Sequence, residues 1–156
     1  MTQGAGILFV NTWPRPTHCL AGYQPKRGGI TGLGGKAEPG DTSPFYTACR
    51  EVLEELLGIE SAVLTAAIIG RYTSIKEFGT EYITFIMTFR QLEDMLRDVA
   101  AVGASSPFYD GIPVCVADCV LGRQPDASAE VQELAVIPLR GCQVLEELLE
   151  DMKAVE

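Results

Sequence analysis

The stretch from Ser43 to Gly58 admits one local structure, and that structure constrains most of what surrounds it. Ser43 is a strong N-cap residue, Pro44 carries the fixed φ of a first helical residue, and Gly58 is the residue type on which helices end. With each residue advancing about 100°, Arg50, Glu51, Glu54 and Glu55 fall within an arc of about 140°. Phe45, Ala48, Cys49, Val52, Leu53 and Leu56 cover the other side. The spacing predicts a helix with one face made for a core and the opposite face carrying three carboxylates and a guanidinium.

That acidic face is in conflict with itself. Glu51 faces Glu54 three residues on and Glu55 four residues on, and each like-charge pair of this kind costs a few tenths of a kcal/mol. Surface helices relieve such repulsion with interleaved lysines, but here Arg50 is the only cation nearby. A solvated acidic face accounts for the clustering in a protein of net charge −9. A divalent cation held between the carboxylates also accounts for it, and hard oxygen donors suit Mg²⁺ or Mn²⁺. The preceding segment, Gly28 to Gly40, favours the second reading. It contains six glycines and one proline, and backbone of that kind can approach a metal or a phosphate closely.

At 156 residues the chain has the length of one domain with a full core, so residues 1–156 are read as a single unit. No apolar run approaches the roughly 20 residues of a membrane span, and Met1-Thr2-Gln3-Gly4 lacks the positive start of a secretory signal. A cytoplasmic protein without membrane contact is expected. Cys19, Cys49, Cys115, Cys119 and Cys142 are odd in number and irregular in spacing, which fits buried thiols better than a disulfide framework. Cys115 and Cys119 have only His18 to complete a zinc site, and His18 reads as structural or solvent-facing. Residues 1–36 carry Arg15, Lys26, Arg27 and Lys36 and no acid, whereas all 21 acidic residues follow. An acidic protein is a poor nonspecific nucleic-acid binder, and a basic edge ahead of an acidic site reads equally as a solvated surface or as a contact for a small polyanion.

Gly6 to Val10 reads as a first strand and Pro14 and Pro16 as a loop. Ala66–Ser74 and Tyr82–Phe89 are expected as strands joined by a turn at Phe78-Gly79-Thr80. A helix is expected over Gln91–Val102, strands over Pro113–Leu121 and Leu134–Leu139, and a short helix over Val144–Met152. Strands mixed with a few helices indicate an α/β or α+β sandwich.

The order Gly34-Gly35-Lys36-Ala37-Glu38-Pro39-Gly40-Asp41, then Arg50-Glu51-Val52-Leu53-Glu54-Glu55 and Gly58-Ile59, resembles the Nudix box. That signature runs Gly, five residues, Glu, seven residues, then Arg-Glu-apolar-any-Glu-Glu-any-Gly-apolar. Val114–Leu121 followed by Glu130 to Leu139 is similar to the family's later strand, acidic loop and strand. Three departures stand out. Asp41 replaces a Glu, eight residues separate it from Arg50, and Leu56 and Leu57 separate Glu55 from Gly58 where one residue is usual. The resemblance implies an α/β/α sandwich with a mixed central sheet, to which residues 66–102 look like an added hairpin and helix. A lid, a specificity element and a dimer contact are all open for that addition.

The resemblance further implies Mg²⁺- or Mn²⁺-dependent hydrolysis of a nucleoside diphosphate linked to another group. Catalytic roles would fall to Glu51, Arg50 and Glu54. Metal ligands would be the Gly35 carbonyl, Glu51, Glu54 and Glu55, with Glu130 as a further acid from a loop and Glu133 its alternative. Lys36, Lys26 and Arg27 would contact phosphates, and Trp13, Phe108 and Tyr109 are candidates for stacking on a base. The partner is a small nucleotide, with capped RNA and a homodimer left open. Two other readings stand beside the enzyme: a module that binds nucleotides without turnover, and an acidic helix that serves as a protein-interaction face.

Overall fold

A computed structural model describes residues 3–141, 143, 144 and 146–155. Its centre is a mixed sheet of seven strands. β1 (Gly4–Val10) is buried along its whole length. β2 (His18–Gln24), β3 (Gly29–Thr31) and β4 (Leu33–Lys36) follow, then β5 (Lys76–Phe78), β6 (Tyr82–Thr88) and β7 (Glu133–Pro138). β6 runs parallel to β1 in register from Gly4 opposite Tyr82 to Val10 opposite Thr88. The other edge of β1 is shared. It meets β2 where Val10 faces Cys19 and β4 from Gly4 opposite Lys36 to Ile7 opposite Leu33. β2 in turn pairs with β3 on that side and with β7 along its far edge. The sheet therefore splits between β1 and β2, and the chain crosses the split from β3 to β4 at Gly32.

Strand alternation sorts the side chains into two cores. Ala5, Ile7, Phe9, Leu20, Phe85 and Met87 face one side. There they meet α1 (Pro44–Val52), α2 (Ala62–Arg71), α3 (Phe89–Ala101) and α4 (Val116–Leu121). Leu8, Val10, Cys19, Ala21 and Ile86 face the other side, covered by Leu148, Met152 and Val155 of α5 (Glu146–Val155). The result is the expected α/β/α arrangement with a mixed central sheet. Among the described residues no helix is long and apolar enough to cross a membrane.

Two local expectations are corrected. Ala66–Ser74 is not a strand, because α2 covers most of it. Ser61 caps that helix by accepting the Leu64 N–H at 3.1 Å, and Leu64 and Ile68, four apart, face the core. Pro113–Leu121 is not a strand either. Its second half is α4, which buries Val116 and Cys119, three residues apart. Within residues 66–102, expected as an added hairpin and helix, β6 is the full-length partner of β1 and β5 is an edge strand. The turn at Gly79 is where it was expected, but the strand before it is only Lys76–Phe78. α3 is closed at its start by a reciprocal pair: Thr88 Oγ1 accepts the Gln91 N–H at 3.2 Å, and Gln91 Oε1 accepts the Thr88 N–H at 2.9 Å. Buried thiols at Cys19, Cys49 and Cys119 pack as small apolar groups, and Cys142 and Leu145 lie outside the described residues.

Candidate functional site

α1 begins as its sequence requires. Ser43 Oγ accepts the Tyr46 N–H at 3.1 Å, with Pro44 at the first helical position. It does not end as an ordinary α-helix. Leu53–Leu57 form a π-helical turn that closes on Gly58 in the left-handed region at φ +66°. Such a turn accommodates one residue more than an α-turn, so the second leucine between Glu55 and Gly58 is absorbed as a wider turn. Arg50, Glu51, Glu54 and Glu55 keep a common face as a result.

β4 lies against that face, and its glycines set the approach distance. Gly34 N–H donates to Glu55 Oε1 at 2.7 Å, while Gln24 Nε2 donates to Glu55 Oε2 at 3.4 Å. Glu51 packs so closely on Gly35 that a Cβ there would stand 2.5 Å from its carboxyl carbon. Arg50 Nη2 donates to the Lys36 carbonyl at 2.9 Å, which locks the helix to the strand a third time.

Arg50 organises the acids. Its Nε and Nη2 donate to the two oxygens of Asp41 at 2.9 Å each, a forked pair between side chains only 11% and 5% exposed. Its Nη1 donates to Glu51 at 3.0 Å and to Glu54 at 3.3 Å. Asp41, the residue that stands in place of a Glu, thereby anchors the arginine. Burial pushes Asp41 up, but the Arg50 fork and the donors Glu38 N–H and Thr47 Oγ1 outweigh it and hold the carboxyl at about 2.

The three glutamates respond in the opposite direction. Burial, followed by mutual repulsion with Glu51, Glu130 and Glu54, pushes Glu55 up to about 8 despite the Gly34 hydrogen bond. Burial also raises Glu51, where Arg50 opposes it and the charges of Glu54 and Glu130 add to it. Glu54 is raised by burial against the pull of Arg50. Glu130 thus stands near enough to Glu51 and Glu55 for its charge to be felt by both. Glu133, its alternative, starts β7 and is exposed.

Among the described residues no group of three or more His, Cys, Asp and Glu side chains is already gathered as a metal-binding set. Arg50 Nη1 bridges Glu51 and Glu54 instead. The surroundings nevertheless fit a hard divalent cation. The donors are all oxygen, burial raises the Glu55 carboxyl so that a cation there would compete with a proton, and the Glu51 carboxyl packs against β4 only because Gly35 lacks a Cβ.

β4 is also one wall of a cavity of about 800 Å³, a volume suited to a nucleoside-sized ligand. Gly34, Gly35 and Lys36 line it together with Arg27, Tyr82 and Asp151, whereas Arg50, Glu51, Glu54, Glu55 and Glu130 do not. Burial and the neighbouring Glu150 and Glu147 push Asp151 up to about 6, although Thr84 Oγ1 donates to it at 3.1 Å. Of the basic residues expected at phosphates, Lys36 and Arg27 reach this wall, and Arg27 pairs with Glu147. Lys26 is exposed on the turn beside it and does not line the cavity. Trp13 packs on the second core and is not brought to the site. Phe108 and Tyr109 are buried in the first core, which removes them as base-stacking candidates. His18 is held by Thr17, whose Oγ1 lies 2.9 Å from Nδ1. Sequence reasoning missed Arg123, whose partners are main-chain carbonyls near Glu55 and Glu130.

No family model matches the sequence, and no curated protein does either. Among solved structures the chain is similar to the crystal structure of a hydrolase of the NUDIX family from Clostridium perfringens. The identity is 14%, the match covers 97% of this chain and 93% of that one, and the TM-score is 0.43. A likeness this distant assigns no activity, which has to come from the chemistry of the residues themselves.

Proposed function

We propose that the protein hydrolyses a phosphoanhydride bond in a nucleoside diphosphate linked to another group, with the help of Mg²⁺ or Mn²⁺. The observation that carries this reading is the packing of Glu51 and Glu55 on the Gly34-Gly35 backbone of β4, with the same backbone forming a cavity wall. Glu51, Glu54, Glu55 and the Gly35 carbonyl would hold the cation, and Glu130 would add a ligand from its loop. When bound, the cation supplies charge neutralisation for the diphosphate and a more acidic water.

The remaining work falls to the protein. Water adds to phosphorus, the bridging P–O bond breaks with its electron pair leaving on the departing phosphate oxygen, and the proton lost by the water passes to Glu51, whose pKa is raised by burial in the sense that suits a base. Arg50 keeps Glu51 and Glu54 in position, and Asp41 keeps Arg50 in position. Lys36 and Arg27 meet the phosphates from the cavity wall. Small nucleotides fit such a cavity, and capped RNA belongs in the same substrate panel.

A second reading, a module that binds nucleotides without turnover, draws on the bridge from Arg50 Nη1 to Glu51 and Glu54. That bridge relieves the repulsion of two acids without any cation. One experiment separates the two readings: a panel of nucleoside triphosphates, dinucleotides, nucleotide sugars and capped RNA with Mg²⁺ or Mn²⁺, run beside Glu54→Gln and Glu55→Gln. The hydrolase reading expects metal-dependent product release that falls by orders of magnitude in both variants. Equal turnover by wild type and variants would remove the glutamates from the mechanism. Tight nucleotide binding with no turnover of any substrate would favour the second reading.

A further inference from the structure

The last carbonyls of a helix have no partners within it and must find them elsewhere. At the end of the acidic helix the assignment is complete. Gly58 N–H takes the Glu54 carbonyl at 2.9 Å, Ile59 N–H takes that of Leu53 at 3.1 Å, and Ser106 Oγ donates to that of Leu57. The carbonyls of Glu55 and Leu56 go to one side chain, Arg123, through Nη2 at 2.7 Å and Nη1 at 2.6 Å.

The same guanidinium reaches a second segment. Arg123 Nη2 also donates to the Val131 carbonyl at 2.8 Å, one residue past Glu130. Its planar group sits over the rings of Phe108 and Tyr109, 5.1 and 5.7 Å from their centroids. Tyr109 Oη accepts from Nη1 at 3.1 Å and donates to the Cys119 carbonyl at 2.7 Å. Reaching three carbonyls leaves Arg123 Nε buried without a partner, so this orientation is kept at the expense of one donor. A helix cap alone does not require the third acceptor. A planar guanidinium spreads five N–H donors over three nitrogens in a fixed fork, so it holds acceptors from two segments in a set geometry that the single ammonium nitrogen of a flexible lysine does not reproduce.

We infer that Arg123 is a positioning residue of the carboxylate site: it ties the backbone at Glu55 to the backbone beside Glu130 and so sets how the loop acid faces the helix acids. The inference rests on the metal-site reading above. Glu130 is exposed, and among the described residues the hydrogen bonds that join its segment to the acidic helix are those of Arg123, beside the apolar packing of Val131 against the helix core. Without Arg123 its carboxylate keeps its charge but loses its bearing on Glu51 and Glu55.

The test is a double-mutant cycle read by Mn²⁺ binding, followed by electron paramagnetic resonance of free Mn²⁺, in wild type, Arg123→Met, Glu130→Gln and the double variant. Removal of a residue that orients a metal ligand weakens affinity about tenfold or more. The expected result is a loss of about tenfold for Arg123→Met that vanishes in the Glu130→Gln background, since Arg123 then has no ligand left to orient. Arg123→Lys, which retains the charge at the helix end, should bind Mn²⁺ as weakly as Arg123→Met and covers the case in which the methionine variant fails to fold. Equal losses in both backgrounds would mean a purely structural arginine and overturn the inference. So would wild-type affinity in the lysine variant. A wild-type protein that bound no Mn²⁺ would overturn the metal-site reading itself, and this inference with it.

Discussion

Asp41 holds Arg50 by both of its carboxylate oxygens, at 2.9 Å to Nε and 2.9 Å to Nη2, across nine residues of sequence. Both side chains are almost fully buried, so the pair is protected from solvent screening. The third nitrogen of the guanidinium is left to point at Glu51 and Glu54. Asp41→Asn removes the charge and half of the fork. A loss of about 2 to 3 kcal/mol in denaturant unfolding is expected, less than for a fully orphaned buried charge because Glu51 and Glu54 remain. The effect should depend on pH. Asp41 is held at about 2 against an ordinary value of 3.8, so its stabilisation is present above 3.8 and lost as pH falls through 2. Unfolding free energies that respond to acid in the same way in wild type and variant would contradict this role.

Glu55 titrates in the other direction. Its folded value of about 8 lies above the ordinary 4.5, so the stability it contributes is full below 4.5 and is lost as pH rises through 8. In chelator, the thermal midpoint of the protein should fall between pH 6 and pH 9, and Glu55→Gln should flatten that fall. Protons compete with a cation for the same carboxylate, so added Mg²⁺ should raise the midpoint more at pH 9 than at pH 6. Parallel curves for wild type and Glu55→Gln would remove Glu55 as the source.

Gly35→Ala tests the contact between strand and helix. The new Cβ would stand 2.5 to 2.7 Å from the Glu51 carboxyl atoms, so Glu51 has to move. Displacing a reacting group by about 1 Å costs on the order of a hundredfold in turnover. Steady-state kinetics should show that loss in kcat, with a much smaller effect on thermal stability. Unchanged kcat would show that Glu51 works from elsewhere.

Gly58→Ala addresses the end of the π-turn. At φ +66° an alanine is strained by about 1 to 3 kcal/mol. Its Cβ would also press on Pro107 and Phe108 at 2.8 and 2.9 Å. Calorimetry should register the destabilisation together with weaker Mn²⁺ binding, because the carbonyls of Glu55 and Leu56 shift relative to Arg123. A stable variant with intact metal binding would show that the turn tolerates a different end.

How far the sequence was legible depends on where each signal resides. The acidic helix could be read because its signals are local: the Ser43 cap, Pro44 and the αL glycine each act within a turn of where they stand. α2 was misread because Ile68, Ile69, Tyr72 and Thr73 are β-formers, and their apolar run masked the cap at Ser61 and the helical spacing of Leu64 and Ile68. α4 was misread for a similar reason, since Val114, Val116 and Val120 outweighed the three-residue spacing of the buried Val116 and Cys119. Arg123 left no trace because its acceptors are main-chain carbonyls, which no side-chain pattern encodes. The irregular spacing before Gly58 was visible, but its accommodation as a π-turn needed coordinates.

Whether Glu51, Glu54 and Glu55 hold a divalent cation can be read from anomalous diffraction of crystals grown with Mn²⁺ above pH 8, the side of about 8 on which Glu55 is ionised. The expected result is an anomalous peak bounded by these three carboxylates and the Gly35 carbonyl, with Arg50 turned away from Glu51 or Glu54 and still forked on Asp41. No peak there, with Arg50 Nη1 still bridging Glu51 and Glu54 in saturating Mn²⁺, would contradict it.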